Sequence, residues 1–178
     1  MALNFSSISG AVRAALRFLG VPGQPARKPV RGRSGSPTRP AGGVTGRYPG
    51  DFTGTATLRY SPSPDGRPDP GEIVWTWVPF EEDHSRGKDR PVLLVGSHGR
   101  YLLGLMLTSK DHDGHPRARF SHVDVGTGPW DRKGRPSEVK LDRVLQIHPA
   151  DIRREGSVLD GKTFRLVADE LRRLRGWK

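Results

Sequence analysis

Residues 71–110 read GEIVWTWVPFEEDHSRGKDRPVLLVGSHGRYLLGLMLTSK, and this stretch decides the fold. Glu72 to Val78 is β-branched and aromatic, Val92 to Val95 is wholly aliphatic, and Tyr101 to Leu107 is almost wholly apolar. Such short apolar runs, bounded by turn chemistry, predict strands buried on both faces. The links Gly96-Ser97-His98-Gly99 and Lys110-Asp111-His112-Asp113-Gly114 are short and polar, as hairpin connections are. Between the first two strands lies a charged loop ending in Arg90-Pro91.

Further along, Ala118 to Val123 alternates, and Val139 to Ile147 gives one or two more strands after the polar loop Gly126–Ser137. The sequence closes with a predicted helix. Asp160 is its N-cap, Phe164, Val167, Leu171 and Leu174 form one apolar stripe, and Gly176 stops it. Five or so short strands with one helix imply a mainly β domain, a small, strongly curved sheet or barrel over residues 71–178.

Upstream the composition changes. Residues 1–20 place Ile8, Val12, Leu16 and Leu19 at helical spacing, a short amphipathic helix. Residues 21–70 form a basic Pro/Gly-rich linker, expected to be mostly disordered because it buries too little apolar surface to offset the entropy of ordering. Within it, Tyr48 to Tyr60 has the residues for an edge strand that docks on the domain. Residues 1–70 carry a net charge of +7 and residues 71–178 carry +4, together the chain's +11. A basic extension on a mildly basic domain favours an anionic partner, nucleic acid first. The absence of cysteine excludes disulfides and thiolate metal sites. No run approaches the roughly twenty apolar residues of a membrane span, and Arg13 and Arg17 interrupt any secretory pattern. A cytoplasmic protein with no membrane association is the expectation.

Several residues have chemistry to offer. Arg90 precedes Pro91, which biases it to extended backbone at the mouth of a strand, where its planar fork matches two phosphate oxygens. An ion pair with Glu81, Glu82, Asp83 or Asp89 is the structural alternative. Thr108 and Ser109 end an apolar strand, placed to bond a phosphate oxygen or simply the turn. Lys140 and Asp142, two apart in a strand, share a face, either as a cation with a base or as a salt bridge. His84, six positions before Arg90, is a candidate proton carrier. The cluster Asp111-His112-Asp113-Gly114-His115 has no ligand spacing and reads as a hairpin tip, so no metal and no cofactor are expected.

The segments Gly71-Glu72-Ile73-Val74-Trp75, Asp89-Arg90-Pro91-Val92-Leu93-Leu94-Val95 and Leu107-Thr108-Ser109, in this order, resemble the PemK/MazF family of toxin endoribonucleases, over about residues 71–170. The resemblance implies an SH3-like barrel with a C-terminal helix. It also implies metal-independent cleavage of single-stranded RNA through a 2′,3′-cyclic phosphate, often by a homodimer, with inhibition by a cognate antitoxin. Arg90 matches the family's Arg-Pro arginine and Thr108 its strand-end threonine. Asp142, with Lys140, stands where some members place an acidic base and a basic partner, and His84 matches a loop histidine found in part of the family. These give Arg90, Thr108, Asp142 and His84 as catalytic candidates, with Lys140, Ser109, Lys88 and Arg86 as RNA contacts. The usual Glu-Gln before the arginine is absent here. A non-catalytic binder of nucleic acid or of an antitoxin, on the same fold, is therefore the alternative. A poison of DNA gyrase, from the related fold class, has no positive sign in the sequence.

Overall fold

A computed structural model describes residues 47–109 and 121–178. The sequence-predicted helix in residues 1–20, the linker up to residue 46 and the Asp111–His115 tip lie outside the described residues.

The described chain is mainly β. Strands β1 (Glu72–Pro79), β2 (Gly87–His98) and β3 (Tyr101–Thr108) form an antiparallel meander. They are followed by β4 (His122–Gly126), β5 (Ser137–Lys140), β6 (Leu145–Ile147) and β7 (Ile152–Val158), and by the helix α1 (Gly161–Arg175). The sheet order is β4-β5-β3-β2-β1-β7, with β6 also pairing β3. Thus β3 meets β6 along Leu102–Gly104 and β5 at Leu107 and Thr108. One strand serving two partners on the same edge requires the sheet to curl into a half-barrel.

Alternation along the strands builds two apolar layers. Ile73, Leu93, Leu103, Leu105 and Val139 join one core with Phe164, Val167, Ala168 and Leu171 of α1. Val74, Val78, Val92, Leu94, Leu145 and Ile147 form a second on the other face. Gly104 is required by this packing, because a Cβ there would fall 2.5 Å from Val92 Cγ1 and 2.7 Å from Ile147 Cδ1. The helix starts as its sequence demands: the Asp160 carboxylate accepts from the N–H groups of Lys162 and Thr163. It ends at Gly176, whose φ of 64° is the left-handed conformation that glycine adopts without strain. Leu174, assigned to the apolar stripe from its spacing, is instead exposed, and the buried stripe ends at Leu171.

Three features depart from the sequence expectation. Gly87 to Pro91 belongs to β2 rather than to a loop, so Arg90 lies inside a strand. Pairing with β1 from Pro79↔Gly87 to Trp75↔Pro91 holds it there. Pro91 is tolerated because pairing with β3 begins only at Val92. Ile152–Val158 forms the edge strand β7, for which no strand was anticipated. Residues 47–70 form no strand, yet they are packed on the sheet. Phe52 and Leu58 are buried, and their N–H groups donate to the carbonyls of Val144 and Lys178.

That strap is fixed by charge as well as by packing. The Arg143 guanidinium, only 5% exposed, donates to Asp51 Oδ2 at 2.6 Å and to the Pro79 carbonyl at 2.6 Å. Tyr48 donates its hydroxyl to Asp51, and its ring meets His84 edge-on at 5.1 Å between centroids. Burial, then the hydrogen bond to the Asp51 carboxylate, push the Tyr48 phenol above its ordinary range. One cluster thereby ties residues 48–51 to the β1–β2 loop and to the start of β6.

Candidate active site

A cavity of about 160 Å³ lies where β3 ends against the first third of β2. Arg90 and Thr108 both line it, with Ser109 and Asp89 beside them. The register explains the meeting. Val92 faces Met106, and continuing the antiparallel pairing by two residues sets Arg90 against Thr108. On the other side of Thr108 stands Glu138 of β5. Arg90, Thr108 and Glu138 therefore form a row across three strands, with Thr76 opposite Arg90 on β1.

Arg90 is half-buried and has no ion pair with any acidic side chain among the described residues. The nearest carboxylate in sequence, Asp89, is taken by Arg153 at 2.9 Å. Strand alternation sends the Arg90 and Thr108 side chains to the face of Val92, Met106 and Glu138, whereas Trp75, Pro91 and Leu107 of the cavity lie on the other face. The rest of the lining comes from the loop after β4 and the start of β5 (Trp130, Asp131, Arg135 and Ser137), with Trp75 from β1. Trp130 Nε1 donates to Ser137 Oγ at 3.1 Å, and Arg135 Nε bonds Asp131 Oδ2 at 2.7 Å. That hydrogen bond from Arg135, followed by one from the Lys133 N–H, holds the Asp131 carboxyl below its ordinary range.

The remaining sequence candidates stand elsewhere. Lys140 shares the β5 face of Glu138, but its ammonium bonds Glu81 at 3.1 Å and Asp142 at 3.2 Å. Burial pulls the Lys140 ammonium down, but the two carboxylates outweigh it and hold it above its ordinary value. Asp142 is not part of the cavity lining. His84 lines a separate, smaller pocket with Tyr48, Thr76, Trp77 and Gln146. The Arg86 guanidinium, on the β1–β2 connection, and the Lys88 ammonium, at the start of β2, lie 5.7 and 5.9 Å from the Phe80 ring centroid. Among the described residues no three His, Asp or Glu side chains gather as a metal site, and no helix is long and apolar enough to cross a membrane.

Sequence reading missed Glu138, Trp130 and Asp131. Glu138 stands one residue before the strand anticipated from Val139, and β5 begins two residues earlier, at Ser137. The loop pair carried only a polar, turn-like composition.

Among the described residues, a curled antiparallel half-barrel packed against α1 defines a small, mainly β protein with a strand-edge cavity. Residues 69–174 match the family of PemK-like, MazF-like toxins of type II toxin–antitoxin systems, and the chain belongs to that family. Among solved structures it is similar to the Mycobacterium tuberculosis toxin MazF-mt6, at 16% identity and TM-score 0.43, over 60% of this chain and 98% of that one. It is also similar to the MazE-MazF structure (Form-II) from Deinococcus radiodurans, at 19% identity and TM-score 0.46, over 63% of this chain and 98% of that one. Among curated proteins none matches the chain.

Proposed function

We propose that this toxin is an endoribonuclease that cuts single-stranded RNA without metal, and that Arg90 and Thr108 receive the scissile phosphate. The observation that supports this reading is the register, which sets Arg90, with no acidic partner among the described residues, beside the strand-end Thr108 on one face of the sheet. As the ribose 2′-oxygen attacks phosphorus, negative charge builds on the non-bridging oxygens. The Arg90 fork takes up that charge, and the Thr108 hydroxyl orients one oxygen. The new 2′-O–P bond forms as the P–O5′ bond breaks, leaving a 2′,3′-cyclic phosphate and a 5′-hydroxyl. The 2′-hydroxyl proton passes to a general base, and the leaving 5′-oxygen takes a proton from solvent.

In this scheme Lys140, Asp142 and Glu81 hold the β1–β2 connection in place, while Ser109, Lys88 and Arg86 add contacts to neighbouring phosphates. His84 acts from the Tyr48 side of that connection. Family membership supports an antitoxin as partner, and a homodimer in the cytoplasm belongs to the same proposal.

One observation favours a second reading, a binder that does not cut. Glu81 and Asp142 are both committed to Lys140, which leaves fewer carboxylates free to act as bases. Incubating the purified chain with mixed RNA in EDTA and weighing the fragment ends separates the two. Cyclic-phosphate and 5′-hydroxyl ends are expected, whereas salt-sensitive binding with intact RNA would establish the second reading.

A further inference from the structure

Resting on the reading of this chain as an RNA-cleaving toxin, we propose that Tyr48–Phe52 is a positioning strap for RNA binding. It holds the β1–β2 connection, residues 80–86, so that Arg86 and Lys88 meet the RNA backbone already in place. The family match begins at residue 69, so the strap lies outside the segment that matches the family.

The connection has little of its own to hold it. No residue from Phe80 to Arg86 is buried. The Phe80 N–H donates to the Arg86 carbonyl at 2.8 Å, the Arg86 N–H to the Asp83 carbonyl at 3.1 Å, and the Ser85 N–H to Asp83 Oδ1 at 2.9 Å. These bonds are local, and segments with few buried apolar contacts open at little cost unless something else fastens them. Here the fastening comes from outside. Arg143 Nη1 donates to the Pro79 carbonyl where the chain enters the connection, and the Tyr48 ring meets the His84 ring edge-on near its exit. The Lys140–Glu81 ion pair adds a further tie, weakened by solvent because the Glu81 side chain is largely exposed.

The strap can do this because it is itself anchored to the sheet. Phe52 is buried, and its N–H donates to the Val144 carbonyl at 2.8 Å. The Gly50 carbonyl accepts from Gln146 Nε2 at 3.1 Å, and Gln146 sits on β6, which pairs β3. Asp51 holds Arg143 at 2.6 Å, so one guanidinium clamps the strap and the Pro79 carbonyl together. Fastening matters because of the charges at the end of the connection. Arg86 and Lys88 are both drawn to the Phe80 ring, where two like charges repel. A phosphate beside them offsets that repulsion, and a connection already fixed loses little further freedom in the encounter. Lys88 stands two residues before Arg90 in β2, so both side chains leave the same face and one RNA backbone can follow them.

The test uses the full chain, Tyr48→Ala, which removes the ring from His84 and leaves the Arg143–Asp51 pair, and Tyr48→Phe, which keeps the ring. Hydrogen exchange read by mass spectrometry without RNA should show residues 80–86 of Tyr48→Ala exchanging on the order of tenfold faster, while β3 and β6 keep their protection. Affinity is read by fluorescence anisotropy with a mixed-sequence 2′-O-methyl oligonucleotide, which lacks the attacking hydroxyl. It should weaken about tenfold in Tyr48→Ala, as it does when the connection is competent about one-tenth of the time. The single-turnover rate at saturating RNA should stay at the parental value, because bound RNA seats the connection. Tyr48→Phe should return both exchange and affinity close to the parent. Affinity in Tyr48→Ala within about twofold of the parent overturns the proposal, as does unchanged exchange in residues 80–86. If Tyr48→Ala does not fold, Tyr48→Leu, which keeps apolar bulk against the second core, is judged by the same criteria. Because the oligonucleotide cannot be cut, a chain that binds RNA without cleaving it still returns an answer on the strap. A parent that binds no RNA sinks both readings, whereas cleavage with Tyr48→Ala affinity unchanged sinks the strap alone.

Discussion

Replacing Asp51 by alanine removes the counter-ion of a nearly inaccessible guanidinium. Arg143 keeps the Pro79 carbonyl, but its Nε loses the bond to Asp51 Oδ2, and its Nη2 already has no partner among the described residues. Stranding one member of a buried pair costs about 3–5 kcal/mol. The Asp51 side chain is 29% exposed, so water reaches part of the vacated space and the lower end, about 3 kcal/mol, is expected. Tyr48 loses its acceptor at the same time. Urea unfolding should register this as a lower midpoint with unchanged slope, and the melting temperature should drop by on the order of 10 °C. Adding Arg143→Met should restore part of the loss, because the charge that lacks a partner is then gone. An Asp51→Ala chain within about 0.5 kcal/mol of its parent, or strictly additive effects in the double variant, would refute the claim that residues 47–60 are an integral part of the fold.

Alkaline pH should weaken the same cluster. The Tyr48 phenol is raised in the folded state, so its contribution is fully present below the unfolded tyrosine value of about 10 and is lost as pH rises beyond it. Tyr48→Phe should flatten the stability profile above that pH in urea titrations, and an unchanged profile would contradict the assignment. Gly104→Ala forces a Cβ against Val92 and Ile147 and should cost about 1–3 kcal/mol in denaturant unfolding, with a neutral result contradicting the tight second core. Removing residues 1–46 takes away seven positive charges and no acidic residue, so folding should persist while the salt dependence of RNA binding falls. Loss of cooperative unfolding in that truncation would show that the extension is structural.

How far the sequence disclosed the molecule depends on where burial leaves a pattern. The strands β1 and β3 and the apolar half of β2 were legible because they are buried on both faces and read as unbroken apolar runs. The helix was legible through Asp160 and Gly176, whose conformations are chemically enforced. Gly87–Pro91 looked like a loop because its strand character comes from pairing with β1 rather than from its own residues. Ile152–Val158, an edge strand spelled IRREGSV, has the same difficulty. Phe52 and Leu58 stand six apart in a Pro/Gly-rich tract, and tertiary packing, such as that of Phe52 on Trp177, makes them core residues. At the site, Arg90 and Thr108 could be paired by sequence because both mark strands that were identified. Trp130 and Asp131 could not, since a loop's folding back onto a cavity leaves no periodic trace.

The most direct test of the central claim is single-turnover cleavage of an RNA oligonucleotide in EDTA by the parent chain and by Arg90→Ala. The guanidinium has no structural partner among the described residues, so the variant should keep its urea midpoint. Its rate should fall on the order of a hundredfold or more, the loss expected when a group that stabilises the transition-state charge is removed. Cleavage by Arg90→Ala at the parental rate would contradict the account.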